Sequence, residues 1–112
     1  MNKLIINAGN NCKLFDPGDI LYFESEGNYT HIHFKGGSKE IICKSMKSIE
    51  TTIDPGVFFR INHRCIINLM HVQSYKNSKY LRVFLCNEKE FTVSRRRKQD
   101  FLAALKQSNT YV

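Results

Sequence analysis

Tyr29-Thr30-His31-Ile32-His33-Phe34 is the stretch that decides the fold, because from His31 onward polar and apolar side chains alternate without a break. Successive strand residues point to opposite faces, so Ile32 and Phe34 are expected to face a core and Tyr29, His31 and His33 the other side. Turn formers fence the run. Glu26-Gly27-Asn28 precedes it, and Gly36-Gly37 follows, closing a hairpin into Glu40-Ile41-Ile42-Cys43. The same pattern returns in Tyr80-Leu81-Arg82-Val83-Phe84-Leu85, after the turn Asn77-Ser78.

Working outward, Ile20-Leu21-Tyr22-Phe23 is apolar on both faces and so is expected to lie centrally in a sheet. Upstream, Leu4-Ile5-Ile6 and Lys13-Leu14-Phe15 flank the turn Gly9-Asn10-Asn11, and Asp16-Pro17-Gly18-Asp19 makes another turn. The period then changes: Ser45 is placed to cap a short helix whose Met46, Ile49 and Ile53 share one face, ended by Asp54-Pro55-Gly56. Phe58-Phe59-Arg60-Ile61, Cys65-Ile66-Ile67, Val72–Tyr75 and Phe91-Thr92-Val93 are further extended segments. Ser94 is expected to cap a final helix buried through Phe101, Leu102 and Leu105, with a polar tail from Gln107 to Val112. The expectation is a mainly β domain of short strands with two short helices, and no helix-turn-helix.

At 112 residues the chain has the length of one domain. No run approaches a membrane span, and the start Met1-Asn2-Lys3-Leu4 turns polar too soon for a signal peptide, so a cytoplasmic protein is expected. Charge is unevenly placed. Residues 1–57 hold 6 Lys/Arg against 7 Asp/Glu, a net −1, while residues 58–112 hold 11 against 3, a net +8. Such asymmetry suits a polyanionic partner, or simply a solubilising basic surface. Cys12, Cys43, Cys65 and Cys86 form no C-x-x-C pair, which argues against a zinc ribbon, and are expected to be reduced thiols.

Four constellations carry possible chemistry. Arg95-Arg96-Arg97-Lys98 puts four cations where the partial positive charge of a helix N-terminus disfavours them, a conflict that a phosphate would resolve; the alternative is a solvated first turn. Asn62-His63-Arg64 interrupts an apolar run with donor-rich side chains, either a tip that enters a DNA groove or an ordinary polar hairpin tip. Asn28-Tyr29-Thr30 is a polar loop or merely a turn whose Asn tolerates positive φ. His31 and His33 share a strand face, but no signature supplies further metal ligands, so no metal and no cofactor is expected. A thiol nucleophile from Cys65 with His63 lacks an orienting group and an oxyanion hole, and no catalytic activity is expected.

Four motifs in order, Asp19-Ile20-Leu21-Tyr22-Phe23-Glu24, Glu26-Gly27-Asn28-Tyr29-Thr30, Phe58-Phe59-Arg60-Ile61-Asn62-His63 with Ile66-Ile67-Asn68-Leu69, and Val93-Ser94-Arg95-Arg96, resemble the LytTr DNA-binding domain family of bacterial transcription regulators over roughly residues 12–105. The resemblance implies an elongated arrangement of short, mostly antiparallel strands. Its loops would enter successive major grooves on one side of a bent duplex, and dimers would occupy paired sites. It also implies base contacts from Asn28, Thr30, His63, Arg64 and Arg95, with Tyr29, Asn62, Arg96, Arg97 and Lys98 on the DNA backbone. Arg64 and Cys65 depart from the family pattern, which commonly has a serine and then an aromatic there, so site preference and local packing are expected to differ. Family members often carry a receiver domain in two-component systems. Residues 1–112 are expected to be the DNA-binding domain without a receiver, either a domain of a receiver-containing regulator or a stand-alone one, with a receiver domain or a sensor-kinase pathway as the candidate partner. A protein-interaction module with a basic surface, and a metal- or pH-sensing module built on His31 and His33, are the competing readings.

Overall fold

The computed structural model describes residues 2–112, and its sheets are antiparallel throughout. Strands β1 (Leu4–Ala8) and β2 (Asn11–Phe15) form a hairpin. A single 3-10 turn, Pro17–Asp19, follows; Asp16 opens it by accepting the Gly18 N–H at 3.1 Å. Then come β3 (Ile20–Glu26), β4 (Tyr29–Phe34), β5 (Lys39–Ile42), the short helix α1 (Met46–Glu50), β6 (Phe58–Arg60) and β7 (Cys65–Asn68). A second 3-10 turn, Leu69–His71, leads into β8 (Val72–Asn77), β9 (Leu81–Leu85) and β10 (Glu90–Val93). A third, Arg95–Arg97, precedes helix α2 (Lys98–Ser108).

The five-stranded sheet has the order β5-β4-β3-β7-β6, so the strand that is apolar on both faces is its centre, as its sequence requires. One face carries Ile20, Phe23, Ile32, Phe58 and Ile66, packed on Ile6 of the first hairpin and on Met46, Ile49 and Ile53 around α1. The other face carries Leu21, Tyr22, Ile61 and Ile67, packed on the three-stranded sheet β10-β9-β8 and on Phe101 and Leu105 of α2. The strict alternation of β9 appears as Leu81, Val83 and Leu85 buried, with Arg82 and Phe84 outward.

His31 and His33 lie opposite Ile32 as expected; His31 is only 9% exposed, and His33 stacks on its cross-strand neighbour Tyr22 with ring centroids 4.1 Å apart. One expectation is corrected here. Ser94 is not a side-chain cap. It precedes the 3-10 turn with extended geometry, makes no capping hydrogen bond, and its buried Oγ has no partner. The helix proper begins at Lys98, and Asp100 supplies the negative charge its first turn favours.

Asn68 locks the frame behind the site. It is fully buried; its Nδ2 donates to Pro17 O at 3.0 Å and Ile20 O at 2.9 Å, and its Oδ1 accepts the Met70 N–H at 2.9 Å. A buried amide with all these bonds made joins the end of β7 to the start of β3. The molecule measures 46 × 30 × 25 Å, elongated as expected.

Candidate nucleic-acid interface

Three backbone connections gather the segments singled out in the sequence. The β3–β4 hairpin turns at Gly27, whose φ of +58° an L side chain adopts only with strain, and this leaves Asn28 and Tyr29 exposed at the tip. Just before that turn, the Ser25 N–H donates to Arg64 O at 2.8 Å, which sets the loop 62–64 against the hairpin. On the other side of the loop, the Ser94 N–H donates to Ile61 O at 2.9 Å and brings up the basic turn. The hairpin, the loop and the basic turn are therefore neighbours at one end of the sheets.

Asn62 builds the middle element. Its Oδ1 accepts the N–H groups of Arg64 and Cys65 at 2.8 and 2.9 Å, while its Nδ2 donates to Thr92 O at 2.9 Å. An asparagine whose oxygen bends its own loop and whose nitrogen ties that loop to β10 is a structural hinge pin. Its consequence is that His63 and Arg64 project into solvent. Arg60 fastens the same loop from below, donating to Asn62 O at 3.3 Å, His63 O at 2.9 Å and Glu50 Oε1 at 3.0 Å.

The four consecutive cations separate. Arg95 and Arg96 are exposed, and Lys98 is half-buried at the start of α2. Arg97 turns inward, donating to Arg60 O at 3.2 Å with Glu50 3.9 Å away. Arg97 and Asn62, both expected on the DNA backbone, are thus also engaged within the chain. Thr30 is corrected: it is fully buried and its Oγ1 donates to Lys44 O at 2.6 Å, so it cannot reach a base.

What remains outward is uncompensated positive charge. Among the described residues, no ion pair involves Arg64, Arg95, Arg96 or Lys98. The nearby carboxylates are engaged, Glu26 with His31 at 3.2 Å and Glu24 with His33 at 3.4 Å. The Glu24–His33 contact is too poorly aligned for a hydrogen bond and leaves His33 Nε2 without one. Burial, opposed by Glu24, pushes the His33 pKa below its ordinary value. Among the described residues, no three metal-ligating side chains gather.

Cys65 is buried, and that burial, reinforced by Glu24, pushes its thiol up to about 11, while His63 stands out in solvent. One residue at this end escaped the sequence reading. Tyr80, half exposed at the β8–β9 turn, lies beneath the Arg95 guanidinium, 5.8 Å from ring centroid to Cζ, with Lys79 Nζ 5.7 Å from the same ring. Only the pairing of Leu81 with Val93 brings it there, a register that local pattern does not reveal.

The family model of the LytTr DNA-binding domain matches residues 10–106. A solved LytTr DNA-binding domain from Bacillus cereus superposes with a TM-score of 0.76, covering 94% of this chain and 97% of that one at 14% identity, a likeness of fold. The CO-responsive transcriptional regulator RcoM of Rhodospirillum rubrum is 25% identical over 77 residues, which are 68% of this chain and 32% of the regulator. The chain thus matches about a third of that relative's length. No helix among the described residues is long and apolar enough to cross a membrane.

Proposed function

The chain belongs to the LytTr DNA-binding domain family, and on that premise we propose that it reads specific double-stranded DNA sites as the output domain of a bacterial transcription regulator. The observation that carries the reading is that Arg64, Arg95, Arg96 and Lys98, at the end of the sheets that holds the exposed hairpin tip, make no ion pair among the described residues. Anionic phosphate supplies the counter-charge that no carboxylate among the described residues supplies.

In this reading Arg95, His63, Arg64 and Asn28 face base edges, and arginine suits the O6 and N7 acceptors of guanine. Arg96, Lys98 and Tyr29 hold the sugar-phosphate backbone and set the register. Three loops on a rigid β frame replace a recognition helix and enter successive major grooves, and the duplex bends so that all three engage at once. Residues 1–112 act as one DNA-binding domain in the cytoplasm, and two copies occupy paired sites. The signal arrives from a receiver domain or a sensor-kinase pathway.

Selection of bound sites from a random duplex pool tests this directly. The expected result is an enriched motif repeated at a fixed spacing. A pool that gains affinity without gaining a motif would overturn sequence reading, and a motif without a repeat would overturn paired occupancy.

A further inference from the structure

We propose that Cys86 is a reactive thiol with His71 as its base, a modification site for hydroperoxides remote from the basic end. The two residues are fifteen apart in sequence and meet because Cys86 follows β9 and His71 precedes β8, strands that pair from Leu85 to Val72. The Cys86 N–H donates to His71 O at 2.9 Å, which fixes the backbones, and the exposed Sγ lies 3.8 Å from His71 Nδ1.

The tautomer follows from the other ring nitrogen. His71 Nε2 is 2.7 Å from Gly18 O, and a carbonyl oxygen can only accept, so Nε2 carries the hydrogen. In the neutral ring Nδ1 is then a lone pair aimed at the thiol, and Cys86 donates to it. A nucleophile, a base within reach and a third group that orients the base are the parts an activated thiol needs. The carbonyl also stabilises the imidazolium that forms when Nδ1 takes the proton.

Cys86 Sγ–H gives its proton to His71 Nδ1 while the sulfur electron pair attacks one peroxide oxygen. The S–O bond forms and the O–O bond breaks, oxidising sulfur to a sulfenic acid and reducing the peroxide. The departing hydroxide or alkoxide takes the proton from Nδ1 and leaves as water or alcohol.

Place separates this site from DNA. Cys86 stands about 16 Å along β9 from Leu81, which pairs with Val93 at the basic turn. Gly18 precedes β3, whose far end carries the hairpin tip. The inference therefore stands whether or not the DNA reading does.

The chain supplies its own controls. Cys12 and Cys43 are exposed with no histidine in hydrogen-bond reach among the described residues, and Cys65 is buried. The test treats the full chain with hydrogen peroxide and a sulfenic-acid-trapping 1,3-diketone, and maps the adducts by mass spectrometry. The adduct on Cys86 is expected to form at least ~10-fold faster than on Cys12 or Cys43. In His71→Asn the Cys86 rate should fall to that of the other two, with Cys65 still unmodified as the report of an intact fold. Equal rates at the three exposed thiols of the unmutated chain would overturn the proposal, whatever the variant does. So would an unchanged Cys86 rate in a folded His71→Asn protein.

Discussion

Arg95 and Arg97 are two residues apart and carry the same charge, yet Arg95 is exposed over the Tyr80 ring while Arg97 bonds Arg60 O and approaches Glu50. A 3-10 turn advances about 120° per residue, so two positions on, the side chain leaves another side of the turn. Equal charges therefore predict unequal mutants. Arg95→Ala is expected to relax base preference at one position of the site, by roughly 1–3 kcal/mol of lost discrimination. Arg96→Ala and Lys98→Ala should instead weaken all duplexes alike. Binding of each variant to the selected site and to single-base variants of it distinguishes these; uniform weakening by Arg95→Ala would contradict the division of labour. Asn62→Ala belongs to a different class. It strands the Arg64 and Cys65 N–H groups and Thr92 O, and should lower unfolding stability by about 1–3 kcal/mol in a denaturant titration.

At the scale of elements, β4 shows both what its sequence disclosed and what it did not. The alternation of His31-Ile32-His33-Phe34 placed Ile32 in the core, and the double-sided apolar run of β3 marked the centre of the sheet. These are periodic signals, set by the geometry of the strand itself. That His31 would be buried and His33 stacked was not legible, because it depends on the β3–β4 register that sets Tyr22 beside His33. Local pattern likewise did not disclose the burial of Thr30 against Lys44, the tie of Asn62 to Thr92, the Tyr80–Arg95 stack or the meeting of Cys86 with His71, whose partners come from other elements. The burial of His33 has a consequence for pH. Burial holds the folded His33 pKa below the ordinary histidine value, so the unfolded chain binds its proton more readily. This contribution to stability is full above about pH 6.5, the unfolded value, and is lost as pH falls from there through the folded pKa. Urea unfolding midpoints from pH 8 to pH 5 should therefore drop more for the native chain than for His33→Gln. Identical profiles would mean that His33 is not the group responsible.

Over the whole molecule, charge and shape act together. The two halves of the chain carry −1 and +8, yet the fold does not separate them, since the acidic-half hairpin β3–β4 touches the basic-half loop 62–64 through Ser25 and Arg64. The carboxylates Glu24 and Glu26 next to that contact are drawn to His31 and His33, so they do not neutralise the arginines beyond them. The basic surface is thus narrower than the sequence run implies, with Arg97 withdrawn and Arg64 added at its other side. If Arg64 and Arg95 in the groove, and Arg96, Lys98 and one lysine of the β8–β9 turn such as Lys79 on the phosphates, each displace one condensed counterion, about five leave the duplex on binding. The log of the binding constant should then fall against log salt with a slope of about −4 to −5. Measured on the same duplex, Arg96→Ala should make that slope shallower by about one, and Arg97→Ala should leave it unchanged even though its guanidinium is charged. A flat slope for the native chain would remove phosphate neutralisation as the source of affinity. An equal loss of slope in both variants would mean that Arg97 leaves its bond to Arg60 when DNA arrives.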